Sequence, residues 1–496
     1  MRPTVGAEGA HGRAYAPAVT DAEDLCLLPA VELARRLRTR ELSARELLTA
    51  SLARVDAVNP AVNAIVTRDD VRARQRASEL DERLMRSGPV GPLHGLPIAH
   101  KDLLPTAGLR TTWGSRLYAD TVPAKDAVLA ARVAAAGAVR LGKTNVPEFG
   151  AGSQTTNALF GSTRNPYDPA LTPGGSSGGA AAALATGMVA LADGSDMGGS
   201  LRNPASFCNV FGLRPTPGRV PNLPARDAWF DLSVLGPMGR CAADAALLLS
   251  VITGPDPADP YATLTDGVDF LAPLDRDFTG VRVAWGGPLG LPFDRQVLEA
   301  FDRARPGVEQ LGVQLTEAEP DVRGADEVFR VLRGWHLATT IGDAVEAAGD
   351  EVVDIVRDNV AYGRTVTAAQ LAAALQQRTL LLQRAQEFLT RHQFLLMPVS
   401  QVLPFGVDTR WVREVAGEPM ADYLGWMRSA YLITVLRVPA ASVPAGFTPA
   451  GLPVGLQVVG RPGDDLGVLQ LCHALEQVFA AGDRHPDLAA LSTALP

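Results

Sequence analysis

The chain has 496 residues, of which 47% are hydrophobic and 20% charged, an ordinary composition for a globular protein with a large core. Its net charge of -8 argues against a nucleic acid or an anionic membrane as a partner. No uncharged apolar run reaches the roughly 18 residues of a membrane span. The four cysteines lie far apart, without metal-ligand or disulfide spacing. These features predict a cytoplasmic protein.

The first elements are helical. Residues 1–20 are rich in glycine and alanine and lack an apolar core, so we expect a disordered arm, followed by one domain over residues 21–490. Apolar residues at helical spacing begin at Val31, and the sequence from Ser43 to Glu46 forms a capping box ahead of a second helix. A charged helix is predicted over 69–86.

From Lys101 onward, short strands alternate with helices, which is the pattern of an α/β protein. The region from about 295 to 435 is mostly helical by period, and we expect it to cover the substrate site. The predicted elements are helices over 127–136, 179–185 and 466–479, and strands over 138–141, 188–192, 281–285, 394–398 and 454–459.

Two serines, Ser176 and Ser200, are each set among glycines. A serine needs a neighbouring base to become a nucleophile, and glycine lets backbone N–H groups approach a developing oxyanion. Of the 46 basic residues only three are lysine, at positions 101, 125 and 143. Lys101 lies in an apolar segment, where burial would depress its pKa toward that of a working base, whereas arginine cannot accept a proton. The alternative is a surface lysine that ends a strand.

Two further motifs match known patterns in the wrong context. Residues 137–144 fit the phosphate-binding loop G-x-x-x-x-G-K-[ST], which would make the chain a P-loop NTPase using Lys143. A phosphate loop needs a strand before its glycines, whereas here the intervening residues are themselves the predicted strand. Residues 175–179 fit the nucleophile elbow G-x-S-x-G around Ser177, but a proline-broken loop precedes them. We therefore disfavour both interpretations.

The ordered motifs resemble those of the amidase signature family over most of the chain. The segments that carry the resemblance are Gly95-Leu-Pro-Ile-Ala-His-Lys-Asp, Gly142-Lys-Thr-Asn-Val-Pro-Glu-Phe, Gly174-Gly-Ser-Ser-Gly-Gly, Asp196-Met-Gly-Gly-Ser-Leu-Arg, Gly212-Leu-Arg-Pro-Thr, Pro439-Ala-Ala-Ser-Val-Pro-Ala-Gly and Gly451-Leu-Pro-Val-Gly-Leu-Gln-Val-Val-Gly-Arg. The resemblance implies a single large domain whose mixed, twisted β-sheet is covered on both sides by helices. It also implies hydrolysis of a carbon–nitrogen bond without a cofactor or metal.

On matching positions, the resemblance implies that Ser200 is the nucleophile, that Ser176, after a cis peptide, relays its proton, and that neutral Lys101 is the base. The oxyanion hole would be formed by the N–H groups of Met197, Gly198, Gly199 and Ser200. The supporting residues would be Asp196, Arg202 and Ser177. For Asp196 and Arg202 a solvated ion pair is an equal alternative. Family members commonly have an aliphatic residue where this chain has His100.

The substrate is less well defined by the sequence. Tyr423, Trp426, Met427 and Tyr431 recur at helical spacing and would line a pocket for aromatic groups or belong to the core. We expect a small amide, ester or carbamate (urethane) substrate, aryl compounds included, and a monomer or homodimer. The alternative within the family is the amide-cleaving subunit of a tRNA-dependent amidotransferase.

Overall fold

The alternating elements build one large mixed β-sheet in the computed structural model, which describes residues 22–263 and 267–493. The arm predicted over residues 1–20 lies outside the described residues. The strands are β1 (Ile65–Arg68), β2 (Pro97–Lys101), β3 (Val139–Thr144), β4 (Thr156–Asn157), β5 (Gly161–Ser162), β6 (Leu191–Asp196), β7 (Phe211–Arg214), β8 (Val234–Gly239), β9 (Arg282–Trp285), β10 (Gln314–Glu317), β11 (Phe394–Pro398), β12 (Glu414–Val415), β13 (Glu418–Pro419), β14 (Ala440–Phe447) and β15 (Pro453–Val459).

The helices flank this sheet. They are α1 (Ala22–Leu27), α2 (Ala30–Thr39), α3 (Ala44–Val62), α4 (Asp70–Ser87), α5 (Val128–Ala135), α6 (Gly178–Ala185), α7 (Arg202–Phe207), α8 (Ala242–Ile252), α9 (Arg295–Gln310), α10 (Ala325–Thr340), α11 (Gly342–Ala348), α12 (Asp354–Thr365), α13 (Ala368–Arg391), α14 (Arg428–Val435), α15 (Asp465–Phe479) and α16 (Leu488–Thr493). Within the described residues, no helix is both long and apolar enough to cross a membrane.

The main sheet mixes parallel and antiparallel pairs, as predicted for the fold class. Its strand order is β1-β3-β2-β6-β8-β7-β14-β15-β11-β9-β10. Strand β2 is parallel to both β3 and β6, and β9 is parallel to β10 and β11, whereas the other pairs are antiparallel. Lys101 is the last residue of β2, so it stands at the edge where parallel strands β2 and β6 both end.

Helix α6 fixes the position of the serine loop against this edge. All its residues are buried, and its run of alanines lets it lie close to the sheet. The approach leaves no room for larger side chains, since a Cβ on Gly179 would lie 2.4 Å from the backbone nitrogen of Asn145. Ser176 and Ser177 immediately precede this helix and are therefore held rigidly beside β2.

Most predicted elements are present with small shifts at their ends. The capping box joins Ser43 and Glu46 as predicted, and strand β11 has the predicted bounds. The strand predicted over 188–192 begins only at Leu191. Strands β7, β8 and β14 were not predicted, because glycine and proline interrupt their apolar pattern. The mostly helical region predicted over 295–435 contains, besides the predicted strand β11, the strand β10, and both join the main sheet.

Candidate active site

The amine of Lys101 lies in a cluster of buried hydroxyl groups. Its Nζ donates to Ser176 Oγ at 2.8 Å, to Ser177 Oγ at 2.8 Å and to Ser195 Oγ at 3.0 Å. The lysine side chain is only 2% exposed. The surface alternative for Lys101 is therefore wrong. Sequence analysis missed Ser195, which lies near the end of β6, beside the end of its parallel neighbour β2.

Burial makes Lys101 easy to deprotonate. Desolvation lowers its pKa to about 7, and the negative charges of Asp196 and Asp193 oppose that shift without cancelling it. At neutral pH, the Lys101 amine is therefore uncharged in a substantial fraction of the molecules. A neutral amine has a free lone pair, so one of the surrounding hydroxyls can donate a hydrogen bond to it.

The two glycine-rich loops meet next to this cluster. The Ser177 N–H donates to the carbonyl oxygen of Ser200 at 3.2 Å, and the Gly175–Ser176 peptide bond is cis, as expected. Ser200 is partly exposed, whereas Ser176 is buried. The structure therefore places a half-exposed serine beside the loop whose buried serine contacts the lysine.

Asp196 stabilises the turn of the glycine-rich loop that contains Ser200. Its carboxylate accepts hydrogen bonds from the backbone N–H groups of Gly199 at 2.9 Å and Leu201 at 3.2 Å. The Gly199 N–H thus already has an acceptor, which differs from the expectation that it faces the oxyanion. Among the described residues, no backbone carbonyl accepts a hydrogen bond from the N–H groups of Met197, Gly198 and Ser200.

A buried ion-pair network supports this carboxylate. Arg202 contacts both Asp196 oxygens, at 2.9 and 3.0 Å, and both side chains are fully buried. Arg214, which sequence analysis missed, lies 3.7 Å from the same carboxylate. Burial alone would raise the pKa of Asp196, but Arg202 and Arg214 outweigh it and hold the pKa well below its usual range. The solvated-pair alternative is therefore wrong.

This network predicts a large effect on stability. Asp196→Asn would leave two buried guanidinium groups facing an uncharged amide, and breaking a buried pair costs about 3–5 kcal/mol. We expect a loss of that size in the free energy of unfolding, measured by chemical denaturation. The control Asp56→Asn breaks a pair with Arg68 in which the Asp56 side chain is 64% exposed, and it should cost less than about 1 kcal/mol. Equal losses in the two variants would contradict the prediction.

His100 points away from the amine of Lys101. Its Nδ1 lies 2.5 Å from Asp193 Oδ2, while the other oxygen of Asp193 accepts the Lys101 backbone N–H at 3.0 Å. Because neighbouring residues of a strand face opposite sides, the ring and the amine are separated by the sheet. His100 and Asp193 therefore anchor the backbone of Lys101.

Lys143 does not belong to a phosphate-binding loop. It lies inside strand β3, is fully buried, and donates to the Leu104 carbonyl and to Thr106 Oγ1. The NTPase alternative is therefore wrong, because the loop pattern falls on a strand. The nucleophile-elbow match also fails, since residues 163–177 ahead of α6 form an irregular loop and Ser177 contacts Lys101.

A cavity of about 380 Å³, here called the first cavity, adjoins the serine loop. Its lining includes Ser153, whose Oγ donates to the Gly175 carbonyl at 2.7 Å. All four residues of the predicted aromatic stripe are buried in one apolar cluster, and two of them, Tyr423 and Trp426, also line this cavity. Both interpretations of the stripe therefore hold in part. Phe405 and Trp411 complete an aromatic wall.

The sequence and fold were compared with known proteins. The family model Amidase matches residues 46–469. An acylamidase of Rhodococcus erythropolis is 35% identical over 468 residues, covering 94% of this chain and 98% of the relative. One subunit of the glutamyl-tRNA(Gln) amidotransferase of Moorella thermoacetica is 35% identical over 492 residues, covering 94% and 99%. The crystal structure of a bacterial aryl acylamidase is similar with a TM-score of 0.86 and 27% identity, covering 95% and 99%.

The fold, the buried lysine–serine cluster and these similarities define an amide-hydrolysing class of enzyme. Within that class, the chain belongs to the amidase signature family. The expected resemblance and fold class are thus confirmed.

Proposed function

We propose that the chain is an amidase that cleaves small amides through an acyl-enzyme on Ser200, with Ser176 as proton relay and Lys101 as base. One observation carries the proposal: a buried amine with a pKa of about 7 lies 2.8 Å from Ser176 Oγ, in a loop bound directly to Ser200. A serine becomes nucleophilic only when a base takes its proton.

The relay accounts for each proton. Ser200 Oγ attacks the carbonyl carbon and gives its proton to Ser176, which passes its own proton to Lys101. The same route then returns a proton to the substrate nitrogen as the C–N bond breaks and the amine leaves. Water next attacks the Ser200 ester and its proton passes through Ser176 to Lys101, and that proton returns to Ser200 Oγ as the ester bond breaks and the acid leaves. No step needs a cofactor.

The developing oxyanion would be held by the N–H groups of Met197, Gly198 and Ser200. Asp196 and Arg202 support this turn, and Gly199 belongs to it structurally. A Cβ at Gly199 would lie 2.5 Å from the Ala430 side chain, and φ is +106°, so glycine is required there. Losing one donor typically costs about 100- to 1,000-fold in rate.

Aryl amides and aryl carbamates are the substrates that the first cavity supports best. Its wall of Phe405, Trp411, Tyr423 and Trp426 offers flat apolar surfaces that suit an aromatic group. Acyl transfer to Ser200 applies to an amide, an ester or a carbamate, because all three have a carbonyl and a leaving group. The enzyme would act as a monomer or homodimer in the cytoplasm.

The second candidate is the amide-cleaving subunit of a tRNA-dependent amidotransferase. It is favoured by the similarity to one subunit of glutamyl-tRNA(Gln) amidotransferases over nearly the whole of both chains. The same lysine and serines would then cleave glutamine and deliver ammonia through partner subunits. The four aromatic rings in the wall of the first cavity favour an aryl group over glutamine, and charged side chains, among them Arg116, Glu148 and Arg410, share that wall.

Substrate turnover by the isolated chain separates the two candidates. We expect the purified protein to hydrolyse anilides and aryl carbamates at least about 100-fold faster, in kcat/KM, than glutamine. A panel of aliphatic amides, anilides, esters, carbamates and glutamine provides the measurement. Glutamine cleavage that appears only with added partner subunits, together with inertness toward anilides, would favour the amidotransferase.

A further inference from the structure

A second cavity, of about 520 Å³, is separate from the first and shares none of its lining residues. Its lining combines aromatic and polar side chains from four separate segments of the chain. They include Leu103, Phe149, Asp227, Phe230 and His336. Nothing in the proposed mechanism uses this space.

The inner end of the second cavity lies close to Ser176. Leu103 and Phe149 line it, and Gly150 follows directly in the chain. A Cβ built on Gly150 would lie 2.8 Å from Leu103 Cδ1 and 3.5 Å from Ser176 Oγ. The cavity therefore ends within one side chain of the hydroxyl that is proposed to return the proton to the leaving nitrogen.

One face of α10 connects the oxyanion loop to this cavity. Phe329 lies against Gly198, where a Cβ would be 3.3 Å from its Cζ, and Arg333 Nη1 lies 3.2 Å from Met197 Sδ. His336, one turn further on, faces the cavity. Positions 329, 333 and 336 follow the i, i+4, i+7 spacing of a single helix face. The face of α10 that contacts the oxyanion loop therefore also reaches the wall of the second cavity at His336.

The cavity wall is built for a flat ring with a polar substituent. Phe230 stacks on His336 with ring centroids 3.7 Å apart and planes at 9°, and Phe149 packs edge-on against Tyr118. Asp227 Oδ2 and His336 Nδ1 are buried and face each other at 3.5 Å, and neither makes a shorter hydrogen bond among the described residues. A bound group that donates a closer hydrogen bond to this carboxylate oxygen gains affinity.

We propose that the second cavity binds the leaving amine of the substrate, and that this amine is an aromatic amine with a further N–H or O–H group on its ring. The inference rests on the proposed function, in which Ser176 returns a proton to the leaving nitrogen. The leaving amine must then lie near Ser176, where the second cavity ends. The ring packs against Phe230, and the substituent donates a hydrogen bond to Asp227. The acyl side of the substrate then faces the first cavity, whose aromatic wall suits a second aryl group there.

The test compares amides that share an acyl group and differ in the amine. Wild type and Phe230→Leu are assayed on N-hexylacetamide, acetanilide and 3-aminoacetanilide. We expect the ratio of kcat/KM for acetanilide over N-hexylacetamide to fall about tenfold in Phe230→Leu. Phe447→Leu, which alters a half-buried ring packed on Tyr167, is the matched control and should leave the ratio unchanged.

The polar anchor is tested separately. Asp227→Asn replaces an acceptor oxygen by a donor and should lower the ratio for 3-aminoacetanilide over acetanilide about tenfold. Asp227 also accepts a hydrogen bond from the backbone N–H of Trp229, two residues further along the chain. Asp277 accepts one from Thr279 in the same way, so Asp277→Asn is the matched control. A series of anilides with different acyl groups gives the opposing outcome. If the loss of kcat/KM in the two variants depends on the acyl group and not on the amine, the assignment of the cavity to the leaving amine is overturned.

A binding measurement separates this inference from the proposed function. Free 1,3-diaminobenzene is titrated into wild type and Phe230→Leu by calorimetry, and we expect about tenfold weaker binding to the variant. If no amide is hydrolysed, the proposed function fails, yet this difference in binding would still support an arylamine site. Equal binding to both proteins, or no binding to wild type, would contradict the inference.

Discussion

Replacing Ser200 with alanine is expected to lower kcat/KM for anilides by about 10⁴-fold or more, because no other group forms the acyl-enzyme. The loop should keep its shape, since the contacts that hold it come from the Asp196 carboxylate and from the Ser200 backbone carbonyl, which alanine retains. The unfolding free energy of Ser200→Ala should therefore stay close to that of wild type. Steady-state kinetics and chemical denaturation measure the two quantities.

A covalent probe identifies the nucleophile directly. A serine-directed phosphonate should add to residue 200 of wild type, as read by mass spectrometry of peptides, and should not label Ser200→Ala. Ser250→Ala, on helix α8 and outside both loops, is the matched control and should react as wild type does. An adduct on another residue, or retained turnover in Ser200→Ala, would contradict the proposed mechanism.

Replacing Lys101 is the second large effect that we expect. Lys101→Ala should lower kcat/KM by about 10³- to 10⁴-fold, because the relay then has no proton acceptor. Lys101→Arg should be similarly impaired, since a guanidinium keeps its proton throughout the working pH range. Lys125→Ala, which removes an exposed lysine, is the matched control and should retain activity.

The pH profile of wild type reports the same group. Burial lowers the pKa of Lys101 to about 7, so the amine is protonated and inactive below that pH and neutral above it. We therefore expect kcat/KM to rise about tenfold per pH unit below pH 7 and to level off above it. A limb near the ordinary lysine pKa, or a flat profile with an intact enzyme, would rule out the neutral amine as base.

Much of the candidate site was accessible from the sequence. Lys101, Ser176 and Ser200 were identified because the chain has few lysines and sets both serines among glycines. The α/β pattern and the capping box at Ser43 are local features, and local spacing alone predicts them. The interruption of β7, β8 and β14 by glycine and proline concealed these strands, since their pairing depends on neighbours that are distant in the chain.

The use of individual polar groups depended on tertiary contacts. Ser195 reaches the Lys101 amine only because β2 and β6 run side by side. Asp196 accepts the Gly199 N–H, which the resemblance to the family had assigned to the oxyanion hole. The direction of His100 also followed from strand pairing, which placed Asp193 within reach of its ring.

The order of amino acids was enough to single out the residues proposed to carry the chemistry, because nucleophile, relay and base must be particular side chains in particular local settings. The charge state of Lys101, the partners of Asp196 and the existence of a second cavity between α10 and the loop around Phe230 emerged only once the chain was folded. The physical reason is that desolvation and cavity shape arise from contacts between segments that are distant in the chain. Such contacts leave no periodic pattern in the local sequence from which they could be predicted.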